Sequence, residues 1–326
     1  DGADFEHDIS ITTEPSGAGD PELLALAVEM RDRVIVHLAE AGSLPLPYYP
    51  SFVVEDDPAS GFAIKPSAPR YSDGYWGLHN RVGMLVETHS WKDYAHRVQS
   101  MLETLRGLFA AAATQAPRWR QTLDAIDERE SRIDRARVAL QFENTSDTHM
   151  VEFRGYRYER SKSEISGTLM TRYDPSTPQI WRLPMRDQIR ATLEIPAPGS
   201  GYVIPPVVAQ WLVPKLALHG IRSERLPVID PAVLRAWRAD VVTLATASFE
   251  GHVETRLRGQ WRPEPQELAE GAVFVPIAYR LLLMRHLARH SPRAPASKVF
   301  TYPPCGHPPQ RRGPQPAGAA HDPTGV

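Results

Sequence analysis

Val82-Gly83-Met84-Leu85-Val86-Glu87-Thr88-His89-Ser90 is the stretch on which the fold of this chain turns. Its apolar half does not alternate with polar residues, which suits a strand covered on both faces, as in a parallel sheet flanked by helices. Glu87 closes the run at the C-terminal end of that strand, where open α/β sheets build their binding clefts. Ser90 then reads as a helix cap with Asp93 three positions on as its reciprocal partner. A carboxylate on such a strand-to-helix turn is well seated for general-base chemistry. The plainer reading is that Glu87 caps the helix or pairs with Arg81 or Lys92.

Outward from this stretch, Asp20-Pro21-Glu22 opens a helix with apolar positions Leu23, Leu26, Ala27, Met30, Val34 and Leu38, closed by Gly42. Residues 43–74 form a long Pro-, Gly- and Ser-rich connection, and connections of that length are often functional. After Ser90 a helix carries Tyr94, Val98, Met101, Leu102, Leu105 and Phe109. Pro117 is expected to end it, and a second, very polar helix over 118–137 reads as a solvated connector. From Val138 short alternating segments follow at 138–142, 150–158, 165–173 and 189–195, the pattern of an antiparallel β unit. A helix over 207–219, strand-like runs at 250–261 and 272–275, and an amphipathic helix at 277–290 complete the ordered pattern. Beyond Ser291 the sequence is too poor in large apolar residues to offset ordering entropy and reads as disordered.

The 326 residues are 42% hydrophobic and 23% charged, which places the chain among globular proteins. A formal net charge of -2 offers no electrostatic case for nucleic acid, and no stretch is apolar enough to span a membrane. The single cysteine, Cys305, excludes an internal disulfide and lies in the tail, a poor place for a nucleophile. No His-Glu-x-x-His helix, phosphate loop or Gly-x-Ser-x-Gly elbow occurs. The chain opens on Asp1, which suggests a natural start further upstream.

Two histidines stand beside acids. Glu87 and His89 share a strand face if the strand runs that far, yet two ligands make a weak metal site. In Asp4-Phe5-Glu6-His7-Asp8, strand geometry lets Asp4, Glu6 and Asp8 converge without His7, and a solvated acidic edge is the expectation there. Trp181, Trp211, Trp237 and Trp261 are expected to pack between elements, with ligand stacking as the alternative.

These residues resemble a family. Asp1-Gly2-Ala3-Asp4-Phe5 with the Asp8-Ile9-Ser10 strand is similar to the segment after the third zinc ligand of bacterial zinc-carboxypeptidase-like peptidases. Tyr71-Ser72-Asp73-Gly74-Tyr75 and the run from Asn80 to Ser90 resemble the strand carrying that family's catalytic glutamate. The resemblance covers residues 1 to about 110 and implies a mixed, mostly parallel sheet with flanking helices. An antiparallel β-rich α+β domain would follow. The division it implies is 1–115 for the partial peptidase domain, 116–137 for a helical connector, 138–290 for the β-rich domain and 291–326 for the tail.

By residue, the resemblance gives Glu87 alone a catalytic role, as general base toward a zinc-activated water that cleaves a peptide bond. The zinc ligands and the substrate-binding arginines are expected upstream of Asp1, so no residue of this chain is a predicted ligand. Tyr71 or Tyr75 corresponds to a loop tyrosine that closes over substrate, and spacing does not choose between them. A peptide substrate and a secreted or periplasmic location are also implied. Two other readings stay open: an N-acyl amino acid amidohydrolase on the same scaffold, and a non-catalytic protein that binds a peptide or a cell surface.

Overall fold

A computed structural model of the chain describes residues 3–17, 19–68, 70–131, 137–196, 201–227, 229–249, 251–268 and 270–276. The expected helix over 277–290, the tail and Cys305 lie outside the described residues. The architecture is mixed α/β, with four α-helices and several small sheets among the described residues.

The N-terminal layer is built on β1 (Ile9–Glu14), β2 (Pro45–Leu46) and β4 (Gly83–Thr88), in the order β2-β1-β4. Helix α1 (Pro21–Glu40) starts as the sequence dictates. Asp20 accepts from the amides of Glu22 and Leu23, Pro21 sits in the first turn, and Gly42 follows the helix with φ of 89°. Its apolar stripe supplies Val34 and Leu38, which pack with Ile9 and Ile11 of β1, Met84 and Val86 of β4, and Leu108 of α3 (Tyr94–Ser131). Side chains this well buried each contribute about 1.5–3 kcal/mol, so this cluster fixes both helices to one face of the sheet.

The sheet is mixed, but its longer pairing is antiparallel. β1 runs antiparallel to β4 from Ile9↔Thr88 to Glu14↔Gly83, whereas only Ile9↔Pro45 and Ser10↔Leu46 are parallel. The expectation that both faces of β4 are covered also needs correction. Met84 and Val86 face the helices, and Leu85, on the opposite face, is 37% exposed. An apolar run without alternation shows only that either face could be buried; neighbouring elements decide which one is.

The 43–74 connection is held down along its length by β3 (Phe62–Ala63), a 3-10 turn at Pro58–Ser60, and α2 (Ser72–Leu78), a short helix the sequence pattern did not announce. Pro117 does not end a helix. α3 runs through it for 38 residues. The cost of proline inside a helix, about 3 kcal/mol, is offset by packing on both sides of it. Beyond Pro117, Trp119 and Ile126 are buried, Arg118 pairs with Glu29, and Arg129 reaches Asp20 at 2.7 Å. The polar half of α3 is therefore docked on α1.

The antiparallel segments expected from Val138 onward are β5 (Arg137–Asn144), β6 (His149–Lys162), β7 (Leu169–Arg186) and β8 (Ile189–Pro196). β6 and β7 form a long hairpin, β5 pairs with β8, and β3 adds in parallel to β7. Further on, β9 (Gly201–Ile204), β10 (Glu224–Arg225) and β13 (Val273–Pro276) form a small antiparallel sheet, α4 (Pro206–Leu218) follows β9, and β11 (Ile229–Phe249) pairs with β12 (His252–Leu268). β11 was not legible as a strand in the sequence.

A second core joins the two halves of the sequence. Ala3, Phe5, Leu46 and Phe62 pack with Phe153, Trp181, Leu183 and Met185 of the hairpin. Gly155 permits this contact, because a Cβ there would lie 2.2 Å from the Trp181 indole. Trp181 and Trp237 are buried as expected, and Trp261 stands opposite Trp237 across the β11–β12 ladder. Trp211 is exposed, with the Lys215 ammonium 5.4 Å from its ring centroid.

Candidate active site

Glu87 occupies the C-terminal end of β4, opposite Ser10 of β1. Because Met84 and Val86 point to the helices, the period-2 alternation turns Glu87 with Leu85 to the other face. Leu46, paired to Ser10 on that same face, belongs to the second core, so Glu87 lies at the border between packed side chains and solvent. Tyr49, three residues beyond Leu46, stands close enough that the Glu87 charge, after burial itself, raises its phenol pKa.

Neither of the plain partners is used. Arg81 is bonded to Asp127 at 2.8 Å, and Asn80 supports the same carboxylate at 3.1 Å. Lys92 donates to the Glu6 carbonyl at 2.9 Å and lies 3.8 Å from Asp8. The helix cap is Asp93, which accepts from the His96 amide at 2.9 Å, not Ser90 or Glu87. Asp93 was expected only as the reciprocal partner, and the correction moves the helix start to Tyr94. Among the described residues, no donor is hydrogen-bonded to the Glu87 carboxylate.

The acids of the 4–8 segment are treated differently. The expected solvated edge is instead buried at Asp4, His7 and Asp8. Asp4 faces His89 at 3.4 Å. Glu6 takes both the Nε and Nη2 of Arg154, at 3.0 and 2.8 Å. Asp8 accepts from the Leu44 amide at 2.7 Å and from His96 at 2.9 Å. Each carboxylate points to its own partner, so they do not converge. The segment precedes β1, and it is drawn in by Phe5, which bridges to Gly155 of the hairpin. Strand alternation misreads it because it is not a strand.

His7 spans Leu44 and Arg154: its Nδ1 lies 3.3 Å from the Leu44 carbonyl and its Nε2 accepts the Arg154 amide at 3.4 Å. Burial lowers its pKa to about 4, so it is neutral at ordinary pH. His89 is buried too, with its ring stacked on Phe5 at 3.9 Å. Burial likewise lowers its pKa, against the opposing pull of Asp4. The two residues that resembled a loop tyrosine part company: Tyr71 precedes α2 and is exposed, whereas the Tyr75 hydroxyl lies 3.0 Å from His219 Nδ1 of the segment after α4.

Sequence reasoning missed Tyr49, whose only signal was its place in an overlong connection. That connection is fastened chiefly to the hairpin, with Arg160 on Asp57 at 2.7 Å and the Thr171 hydroxyl on the Asp56 carbonyl at 2.6 Å. Among the described residues no group of three or more His, Cys, Asp or Glu is placed to hold a metal ion. No protein-family model, curated protein or solved structure matches this chain.

Proposed function

We propose that this chain is part of a zinc metallocarboxypeptidase-like hydrolase in which Glu87 is the general base. The observation that carries the reading is the state of Glu87: a strand-end carboxylate facing away from the helices, with both neighbouring cations engaged elsewhere. Structural acids are normally bonded, as Asp4, Glu6 and Asp8 are here. A carboxylate left without donors at the mouth of a sheet is available to take a proton.

In this role Glu87 removes a proton from the water that adds to a peptide carbonyl, then passes it to the departing amine as the C–N bond breaks. The described residues do not themselves fit the zinc that the resemblance implies, since no three ligating side chains converge among them.

The test is Glu87→Gln in the intact gene product, followed by release of the C-terminal residue from an N-blocked dipeptide. Loss of a general base predicts a fall in kcat of about 10²–10⁴, with metal content unchanged. Full activity in this variant would sink the proposal. Faster turnover of short N-acyl amino acids than of peptides would assign the same base to the amidohydrolase reading.

A further inference from the structure

Helix α4 is apolar on both of its sides. Val208, Ala209, Leu212 and Leu216 are buried against the rest of the chain. At 100° per residue, Val207, Trp211, Pro214 and Leu218 fall in a stripe about 60° wide on the opposite side. Val207, Trp211 and Leu218 are 61%, 53% and 84% exposed. The polar residues flanking this stripe are Gln210 on one side and Lys215 on the other, and the helix carries no acid. A surface helix ordinarily turns charged residues outward, and one that is apolar all round belongs in a non-aqueous setting.

The neighbours of the stripe specify that setting. The Lys215 ammonium lies 5.4 Å from the Trp211 ring centroid, so the one cation of the helix sits at the border of its apolar stripe. The C-terminal end of α4 adjoins α2, where the Tyr75 hydroxyl lies 3.0 Å from His219 Nδ1. The same arrangement recurs there. Trp76 of α2 and Tyr71 just before it are 49% and 46% exposed, and the Arg70 guanidinium lies 4.6 Å from the Tyr71 ring centroid. Tryptophan and tyrosine favour the level of lipid headgroups, where a ring meets acyl chain on one side and water on the other. Lysine and arginine lay their stems along apolar surface and carry the charge out to the phosphates. A protein-binding patch has a rim of mixed polar groups; here the charged groups at the border are Lys215 and Arg70.

We infer that the outer face of α4, with Trp76 and Tyr71 beside its C-terminal end, docks on a membrane surface that contains anionic phospholipid. α4 has 13 residues, about 20 Å of helix, and among the described residues no helix is long and apolar enough to cross a membrane. It lies in the plane of the interface, with Val207, Trp211 and Leu218 entering below the headgroups and Lys215 and Arg70 at the phosphates. This contact is independent of Glu87 and of any activity assigned to it.

The probe is a vesicle of phosphatidylcholine with phosphatidylglycerol, compared with one of phosphatidylcholine alone, each sedimented with the 326-residue chain. Binding is expected to be at least about tenfold tighter to the anionic vesicles and to weaken with added salt. Trp211→Glu/Leu218→Glu, both at exposed positions, is expected to weaken it by at least about 30-fold. An unchanged midpoint of urea unfolding checks that the double variant is folded. A second measurement needs no charged variant: brominated acyl chains are expected to quench the tryptophan fluorescence of the chain, and to quench it less in Trp211→Phe. No binding to the anionic vesicles, equal binding to both lipids, binding indifferent to the double variant, or equal quenching in Trp211→Phe would each overturn the proposal. So would a dimer in solution that forms through Trp211 and is abolished by the double variant.

Discussion

The segment from Asp4 to Asp8 and the end of β4 are neighbours, joined by the His89 amide donating to the Asp8 carbonyl at 2.8 Å, yet their acids are used in opposite ways. Asp4, Glu6 and Asp8 each hold a partner from a different part of the chain: His89, Arg154, and the Leu44 amide with His96. Glu87 holds none of the cations around it. The difference teaches how to separate structural acids from chemically available ones. Proximity to histidine singled out the first set in the sequence, but what matters is whether the carboxylate's lone pairs are already taken.

The sharpest way to break this contrast is to remove a structural acid. Asp8→Ala removes a buried carboxylate, leaves the part-buried Leu44 amide without its acceptor and strands His96 and Lys92, at a cost of about 3–4 kcal/mol. Equilibrium urea unfolding measures it, and a loss under about 1 kcal/mol would mean the Asp8 contacts are ornamental.

Next in size is a pH effect at His7. Its folded pKa lies at about 4, below the ordinary 6.5, so the unfolded chain takes up the proton first as pH falls. Stability contributed by neutral His7 is complete above about pH 6.5 and is lost progressively toward pH 4, by about 3 kcal/mol in total. Thermal unfolding across that window should show a slope that His7→Asn flattens. Equal slopes in the two proteins would remove His7 from the set of structural groups.

The smallest effect sharpens the comparison from the other side. Glu87→Gln should shift unfolding free energy by no more than about 0.5 kcal/mol, since no hydrogen bond is lost. A destabilisation of several kcal/mol would return Glu87 to the structural group.

Much of the local structure was legible. The Asp20-Pro21 helix start, the Gly42 stop, the helix ending at Leu218 and the strand segments of β5, β6 and β8 all rest on short-range rules of capping and alternation. Misreadings came where distant residues decide. Pro117 looked like a terminator because a proline's cost is local, whereas the burial of Trp119 and Ile126 that offsets it is not. Tyr49 carried no signal beyond its place in the overlong connection, since the Glu87 charge that acts on its phenol comes from a distant part of the chain.

Local order alone specifies where α1 begins, which strands alternate, and that Glu87 lies toward the end of an apolar strand. Those follow from interactions within a few residues, which the order of side chains specifies directly. Which face of β4 is covered, and that the acids before β1 are each bonded while Glu87 is without a donor among the described residues, emerge only from the assembled fold. These depend on residues tens to more than a hundred positions apart meeting in space, and no local pattern records who meets whom.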